Sequence, residues 1–500
     1  MIFAILLSIP GLVLLWILIT YVDQLISLRK YPSGPFPLPL IGNLLVLSEK
    51  PYLDFIELGK VYRDVFSVSF GMNRVVVLNS YDVIKEALIT RGSDFAGRPS
   101  TSTQSRITSK NFQSLGHKDF SKSWTFLRKL SHRSLNIHGV KKLEDIITED
   151  VDQMCSTLTR EVGNPILIDS YIGNSLVNTI CRLCFSKKYD VGDTEFAQIL
   201  NFFHLINDGL TPGQPIAIFP WLRFFPDTEK FKNLKLGSKL RHDYTHKSFN
   251  EHIETFNPER IRDLTDNLLH LSQNKEMWKD AGFENVTQEQ LEYVVNSIFF
   301  ASVETQASTF KWLVLYMLHH LQYQTKIYEE IRSKIGFKRQ ITPHDKELLP
   351  FTNAVLLETQ RLGSVGPLCL PHKTTTNTSV SGLTIPKGTT IFMNLYNVHR
   401  DPTYWDEPEN FNPQRWLNAD DGSLKKEKPT HYLPFSAGPR VCLAEKMAKM
   451  QLFMLATNFF KNFEVSLAPG EKLPNPKDGK YGETLNPPQY KVVLTQRKQN

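Results

Sequence analysis

The chain opens on an apolar block: residues 2–22 carry no charge, and 14 of these 21 are Leu, Ile, Val or Phe. A helix of that length can cross the hydrocarbon core of a bilayer. At about −0.5 kcal/mol per such residue, its side chains supply on the order of −7 kcal/mol toward insertion, which Ser8, Pro10 and Thr20 only partly offset. A cleaved signal peptide would show a basic stretch before a shorter apolar run and a small-residue cleavage site after it, and the sequence has neither. Arg29 and Lys30 follow at once. Positive charge on that side of the block predicts that the remaining chain faces the cytosol, which leaves the sequons at Asn285 and Asn377 unused. Four prolines within residues 31–39 then forbid helix and predict a stiff extended connector.

Beyond the connector the period changes. Residues 65–70 alternate polar and apolar, Gly71-Met72-Asn73 supplies a turn, and residues 74–79 read as a returning strand. From about residue 80 to 365 the pattern is mostly helical, a second strand-rich stretch follows at 374–395, and more strand lies near the C-terminus. The most informative helix starts at Thr287, whose spacing to Gln290 makes a capping box, and no Gly or Pro interrupts it before Gly336. Ended near His320, it is about 33 residues and roughly 50 Å long, enough to cross the centre of a large domain. The predicted fold class is mainly α with small β-sheets. Its parts are a transmembrane anchor (1–24), a basic and proline-rich connector (25–45) and one large helical domain with an N-terminal strand-rich region (46–500). The apolar, aromatic stretch 215–226, bracketed by prolines, reads equally as a loop dipping into the bilayer interface or as core.

Charge changes this picture little. The 58 basic and 51 acidic side chains leave +7, without a Lys/Arg block dense enough to predict a nucleic-acid partner. Five cysteines are too few for a disulfide framework and fit a reducing compartment. Cys181 and Cys184 form a CxxC with no second pair to complete a zinc site, inside an apolar helical stretch, so they read as core.

Cys442 differs. The run Phe435-Ser436-Ala437-Gly438-Pro439-Arg440-Val441-Cys442 precedes a helical stretch, which places the sulfur near a helix N-terminus where the macrodipole favours thiolate. Gly438 and Pro439 allow a tight turn close to a flat cofactor, and Arg440 can reach a carboxylate. This run resembles the haem-binding signature Phe-x-x-Gly-x-Arg-x-Cys-x-Gly of the cytochrome P-450 family, departing only where Ala444 replaces the last Gly. Similarity extends along most of the chain and leans toward the microsomal animal branch that includes the steroid 17-alpha-hydroxylase/17,20-lyase type.

Further motifs stand in the family's order. Glu358-Thr359-Gln360-Arg361 resembles its Glu-x-x-Arg pair, and Phe411-Asn412-Pro413-Gln414-Arg415-Trp416 resembles the segment whose Arg completes a triad, so Glu358, Arg361 and Arg415 are implied to support the haem-proximal side. A single such pair on a surface would contribute under about 1 kcal/mol. Trp124-Thr125-Phe126-Leu127-Arg128 resembles Trp-x-x-x-Arg, with i,i+4 spacing that lets Trp124 and Arg128 reach one haem propionate. Arg98 and His372 match further propionate-contacting positions. In the long helix, Ala301-Ser302-Val303-Glu304-Thr305 resembles Ala/Gly-Gly-x-Asp/Glu-Thr. Oxygen activation needs delivered protons, so the resemblance implies Thr305 as relay with Glu304 behind it. A plain helical Thr bonding its own i−4 carbonyl is the bland alternative. Ser302 departs from the pattern, adding a hydroxyl that can compete for backbone carbonyls where Gly would let the helix open. The roof residue that meets a steroid's ring substituent corresponds to a place near Gly209, with Asn207 and Asp208 adjacent.

The resemblance implies haem b ligated by Cys442, O2 as co-substrate, and insertion of one oxygen atom into a small lipophilic substrate such as a steroid or related lipid. Electrons would come from NADPH through a membrane-bound flavoprotein reductase, with a small electron-carrier haem protein as a further donor, at the endoplasmic reticulum membrane. Lys129, Arg133, Lys446 and Lys449 could dock such an acidic partner. The rival readings are a haem-thiolate isomerase or dehydratase and a non-catalytic haem-binding protein.

Overall fold

In a computed structural model, the described residues are 2–137, 139–190, 192–210, 219, 222, 226–274, 276 and 286–498. Most of the 215–226 stretch, and the sequon at Asn285, therefore lie outside the described residues. The helices that matter to the argument are α1 (Ile2–Ser27), α2 (Lys122–Ile137), α3 (Ile168–Phe185), α4 (Thr194–Gly209), α5 (Glu229–Thr255), α6 (Gln288–His319), α7 (Pro350–Gly363) and α8 (Glu445–Asn462). The strands that matter to the argument are β1 (Val65–Phe70), β2 (Asn73–Leu78), β3 (His372–Lys373), β4 (Thr390–Met393), β5 (Lys480–Tyr481) and β6 (Leu485–Asn486).

The stretch Gly11–Lys30, which begins inside α1 and ends in the 3-10 turn after it, has a mean hydropathy of 1.9 and almost no burial, and is long enough to cross a membrane. Its C-terminal end is not free of the domain. Gln24 Nε2 donates to Ser69 Oγ at 3.2 Å, and the Tyr21 hydroxyl donates to the Pro37 carbonyl at 3.0 Å. The proline-rich connector is also clamped, because Ser67 N donates to Ser33 O at 3.0 Å and Gly42 bridges to Phe70. The apolar helix and the proline-rich segment thus leave the domain in a fixed direction.

The predicted hairpin is present as β1–β2, antiparallel with Phe70 facing Asn73 across the turn. The sheet continues in the order β1-β2-β4-β3, β2 and β4 being parallel. Thr287 caps α6 with both halves of the capping box in place. The 32 residues of α6 run through the core, with Trp312, Leu313, Val314 and Leu315 essentially inaccessible. Helices α3 and α7 flank it, and the pair α4–α5 roofs it. Two glycines let the roof helices touch: a Cβ on Gly209 would lie 2.5 Å from Leu234 Cβ, and one on Gly237 would lie 2.8 Å from Leu205 Cβ. Cys155, Cys181 and Cys184 are buried thiols, and burial pushes Cys181 up to about 12.

Glu358 organises the other side of α6. Its carboxylate receives Arg361 Nε at 2.9 Å and Nη2 at 2.7 Å, Arg415 Nε at 3.0 Å, and Trp416 Nε1 at 2.9 Å. Arg361 also donates to the His399 and Pro408 carbonyls at 2.6 and 2.7 Å. Glu358 and Arg361 are wholly buried, so this is no surface pair. Removing one partner of a buried ion network leaves uncompensated charge and costs about 3–5 kcal/mol. Glu358→Ala is therefore expected to lower the unfolding free energy measured by denaturant titration by that amount, or to abolish soluble protein, whereas Glu57→Ala at an exposed pair should leave it unchanged within about 0.5 kcal/mol.

Candidate active site

Cys442 lies on a loop closed by its own backbone, its N–H donating to the Phe435 carbonyl at 3.0 Å. A short 3-10 turn, Gly438–Arg440, shapes the loop. Gly438 adopts φ +71°, and a Cβ there would fall 2.0 Å from the Leu88 carbonyl oxygen, so the turn can seat against residues 86–90 only with glycine. The Phe435 ring carries the Lys449 ammonium 5.3 Å from its centroid. The side chain of Cys442 is exposed.

Helix α8 starts at Glu445 with Ala444 as its cap, in an ordinary conformation for an L residue (φ −101°), so the Ala-for-Gly departure costs no strain. The helix adds less to the thiolate than its position predicts. Although the side chain is open on one side, the surrounding protein withholds enough solvent to push the Cys442 thiol above its usual range, and Glu445 reinforces this, while the Ala444 N–H and Arg128 pull the other way. Coordination by a metal would deprotonate the sulfur outright.

Around the loop, cations converge. Arg98 is buried, its Nε donating to Gly116 O at 2.8 Å and its Nη1 to Leu370 O and Pro371 O at 3.0 Å each. Arg440, also buried, donates through Nε to Ala96 O at 2.8 Å and through Nη2 to Lys118 O at 2.9 Å, and lies 3.7 Å from the Trp124 ring centroid. Its Nη1 is buried with no partner. Arg128 sits 5.6 Å from the same indole and donates through Nη2 to the Val441 carbonyl. The Trp124 N–H itself goes to Leu115 O at 2.9 Å. In this conformation, therefore, indole and guanidinium do not point jointly at one acceptor as the i,i+4 spacing predicts; Trp124 serves both arginines as a ring face.

Burial, followed by Arg98, pulls Arg440 down to about 8. Burial, Arg98 and Arg440 hold His372 neutral, far below its usual range. His372 Nδ1 lies 2.7 Å from the Phe95 carbonyl and must carry the proton there. Its Nε2 can donate to a carboxylate only once that carboxylate's charge has drawn on a second proton.

The far side of this cluster is the wall of a cavity of about 260 Å³. Gly116, His117 and Leu370, whose neighbourhood receives Arg98, line it together with Phe300, Ala301, Glu304 and Thr305 of α6. Leu115 N donates to Ser297 Oγ at 2.8 Å, tying the wall to α6.

The α6 hydroxyls point inward along the helix. Thr305 Oγ1 donates to Ala301 O at 3.0 Å, which is the bland alternative of the sequence reading, and Ser302 Oγ takes the Ile298 carbonyl at 2.7 Å, as its hydroxyl predicts. Glu304 is held by three donors: Asn207 Nδ2 at 2.7 Å, Asn486 Nδ2 at 2.9 Å and Thr484 Oγ1 at 3.3 Å. Asn207, adjacent to the place near Gly209 that the sequence indicates, thus reaches α6 from the roof. Two residues along a helix turn the side chain by about 200°, so Gly209 faces Leu234 instead. Sequence reading also missed Arg241 and Glu483, which line the cavity. Each sits in a stretch that reads as solvated surface, and no local pattern separates it from its neighbours.

A family model described as Cytochrome P450 matches residues 32–494. The chain is 35% identical to the steroid 17-alpha-hydroxylase/17,20 lyase of Ictalurus punctatus over 95% of this chain and 92% of the relative. It is 35% identical to the enzyme of the same name from Oryzias latipes, over 94% and 92%, and 33% identical to cytochrome P450 2U1 of Bos taurus, over 94% and 90%. The haem this family implies is tested by the cation cluster. Haem brings two carboxylates and an iron that takes a thiolate, and the structure offers an unpartnered buried guanidinium edge beside an exposed cysteine. The residues fit. A charge-assisted hydrogen bond is worth about 1.5–3 kcal/mol, so Arg440→Leu should speed haem loss to a scavenging globin by roughly tenfold to a hundredfold. Cys442→Ser should retain the far-ultraviolet helical signal and lose the thiolate-type absorption of the reduced CO complex.

Proposed function

The chain belongs to the cytochrome P450 family, and from that premise we propose that it is a membrane-anchored haem-thiolate monooxygenase acting on a steroid or related lipid. Haem b, bound through Cys442, supplies the activation of O2. Arg98, Arg128, Arg440 and His372 would hold its propionates against Trp124, with Phe435 and Gly438 shaping the cysteine loop and the Glu358–Arg361–Arg415 triad bracing the fold behind it. NADPH would supply electrons through a flavoprotein reductase at the endoplasmic reticulum membrane, with the domain in the cytosol and α1 as anchor. One observation carries the reading: Gly116 and Leu370 accept hydrogen bonds from Arg98 on one side and line the cavity on the other. Cofactor cradle and substrate space therefore share one wall.

The proton path is the chain's own contribution. Thr305 must turn its hydroxyl from Ala301 O, and Glu304 must be released by Asn207 on the roof helix, before either can pass a proton into the cavity. Roof movement on substrate entry would supply that release. The same latch favours a second reading, a haem-thiolate isomerase or dehydratase, which needs no proton relay to oxygen.

Reconstitution with a flavoprotein reductase and NADPH, with mass-spectrometric analysis of steroid, fatty-acid and xenobiotic panels, separates the two. A product heavier by one oxygen, dependent on NADPH, is expected; a product of unchanged or dehydrated mass formed without NADPH would sink the monooxygenase reading. General acid–base groups contribute about 10²–10⁴ in rate. Thr305→Ala is accordingly expected to lower product formed per NADPH by at least about tenfold while NADPH consumption continues.

A further inference from the structure

The roof of the cavity holds a pair of opposite charges that the oxygen chemistry does not use. Arg241, on α5, is 1% exposed. Its Nη2 donates to the Thr108 carbonyl and its guanidinium carbon lies 4.2 Å from the Phe300 ring centroid, while Nε and Nη1 are buried without any partner. Glu483 stands at the tip of the β5–β6 hairpin, where Gly482 N donates to Thr484 O at 2.9 Å. The hairpin is pinned to α6 because Ser308 Oγ and Trp312 Nε1 both donate to the Leu485 carbonyl, at 2.9 and 2.8 Å. Its tip is therefore held in place, and the Glu483 carboxyl opens into the same cavity that Arg241 lines.

Among the described residues, the charged and titratable groups that share this cavity with Glu483 are Arg241, Glu304, Tyr481, His117 and Cys369. Arg241 on α5 and Glu304 on α6 act on it, and Tyr481 of its own hairpin and His117 of the opposite wall also line the cavity. Burial raises Glu483 to about 7, with Arg241 opposing and Glu304 reinforcing the rise. A carboxylate ligand would meet Arg241 but would also meet two acids. A ketone can only accept, and leaves ionised Glu483 without a donor. A hydroxyl does both: it accepts from a guanidinium and donates to a carboxylate.

We propose that Arg241 and Glu483 together select a lipophilic alcohol, its hydroxyl accepting from the Arg241 guanidinium and donating to the Glu483 carboxylate at the cavity roof. The selection rests on the cavity being the substrate pocket, as in the proposed function, and names the class of molecule that enters it.

The test is equilibrium binding to the haem-loaded full-length protein, followed by the substrate-induced shift of the haem absorption band. Two matched sets are titrated: pregnenolone against progesterone, and 1-dodecanol against dodecanal, dodecanoic acid and dodecane. A hydrogen bond to a charged group is worth about 1.5–3 kcal/mol, so the alcohol of at least one set should bind roughly tenfold to a hundredfold tighter than its ketone, aldehyde or acid partner at pH 8. The margin should narrow at pH 6, where protonated Glu483 can itself donate to a carbonyl. Glu483→Gln should flatten this pH dependence, and Glu483→Leu should erase the preference while the carbonyl partner still binds. Melting of the ligand-free protein gives an independent check. A raised folded-state pKa withdraws stability as pH climbs through it, so Glu483→Gln should melt above the parent at pH 8 and alongside it at pH 5. Equal binding of alcohol and carbonyl in both sets, or a preference that survives Glu483→Leu, overturns the proposal. So does tight binding of the acid alone. If no alcohol binds while another lipid is oxygenated with NADPH, the alcohol selection fails and the monooxygenase reading stands; if alcohols bind with the expected preference and nothing is oxygenated, the reverse holds.

Discussion

Buried positive charge without a matching protein anion is the constraint on which the cofactor side of the structure depends. An isolated buried ion costs several kcal/mol, and here burial lowers the proton affinity of both Arg98 and Arg440, Arg128 lowers both further, and Arg98 adds to the effect on Arg440. Backbone carbonyls make this tolerable: Arg98 has three and Arg440 two, with the Trp124 face beneath Arg440. Four of those five carbonyls belong to the loop at residues 114–119 and the strand entry at residues 370–371, and the fifth is that of Ala96. The loop and the strand entry also wall the cavity, so the geometry that supports the guanidiniums also sets the shape of that cavity.

The network at Glu358 differs in kind. There the anion is present, and its two oxygens are shared among two guanidiniums, an indole and the Asn412 N–H. Such a closed network has no capacity left for a ligand. It joins α7 to the segment carrying Arg415 and Trp416 and so fixes one side of the domain. The cation cluster, by contrast, retains an unpartnered donor. Satisfied and unsatisfied charge thus distinguish the brace from the cradle without reference to any relative.

What could be read in the sequence was what is encoded locally. The hairpin at residues 65–78 follows from alternation and a turn, and the start of α6 from a capping box, and both are where those signals place them. Glu358 and Arg361 lie three residues apart on one helical face, so their pairing was legible as well; that they are wholly buried was not, because burial is set by the segment at residues 405–416 folding over them. Asn207 was named beside Gly209, but its hydrogen bond to Glu304 was not legible, because two residues along a helix change the face a side chain presents. Arg241 and Glu483 were invisible for a different reason. They are 242 positions apart in the chain, and only the packing of α5 over α6 and the pinning of the hairpin to Leu485 bring them to one cavity.

The polar roof also bears on why Glu304 is restrained. Asn207 from α4, Thr484 and Asn486 from the hairpin, and Glu304 from α6 form one hydrogen-bonded group, and Glu483 lies within its electrostatic reach. A ligand that engages the hairpin tip therefore acts on the same group that holds Glu304. Roof, hairpin and central helix are separate elements, each with its own packing against the core, so a small shift of one breaks a hydrogen bond in the group without unfolding anything. In such an arrangement, recognition of the ligand's polar end and readiness of the acid on α6 are coupled through two or three hydrogen bonds of ordinary strength, each worth about 0.5–1.5 kcal/mol net. That is enough to bias a rotamer or a small helix displacement by roughly tenfold, and small enough for binding of a lipid to reverse it.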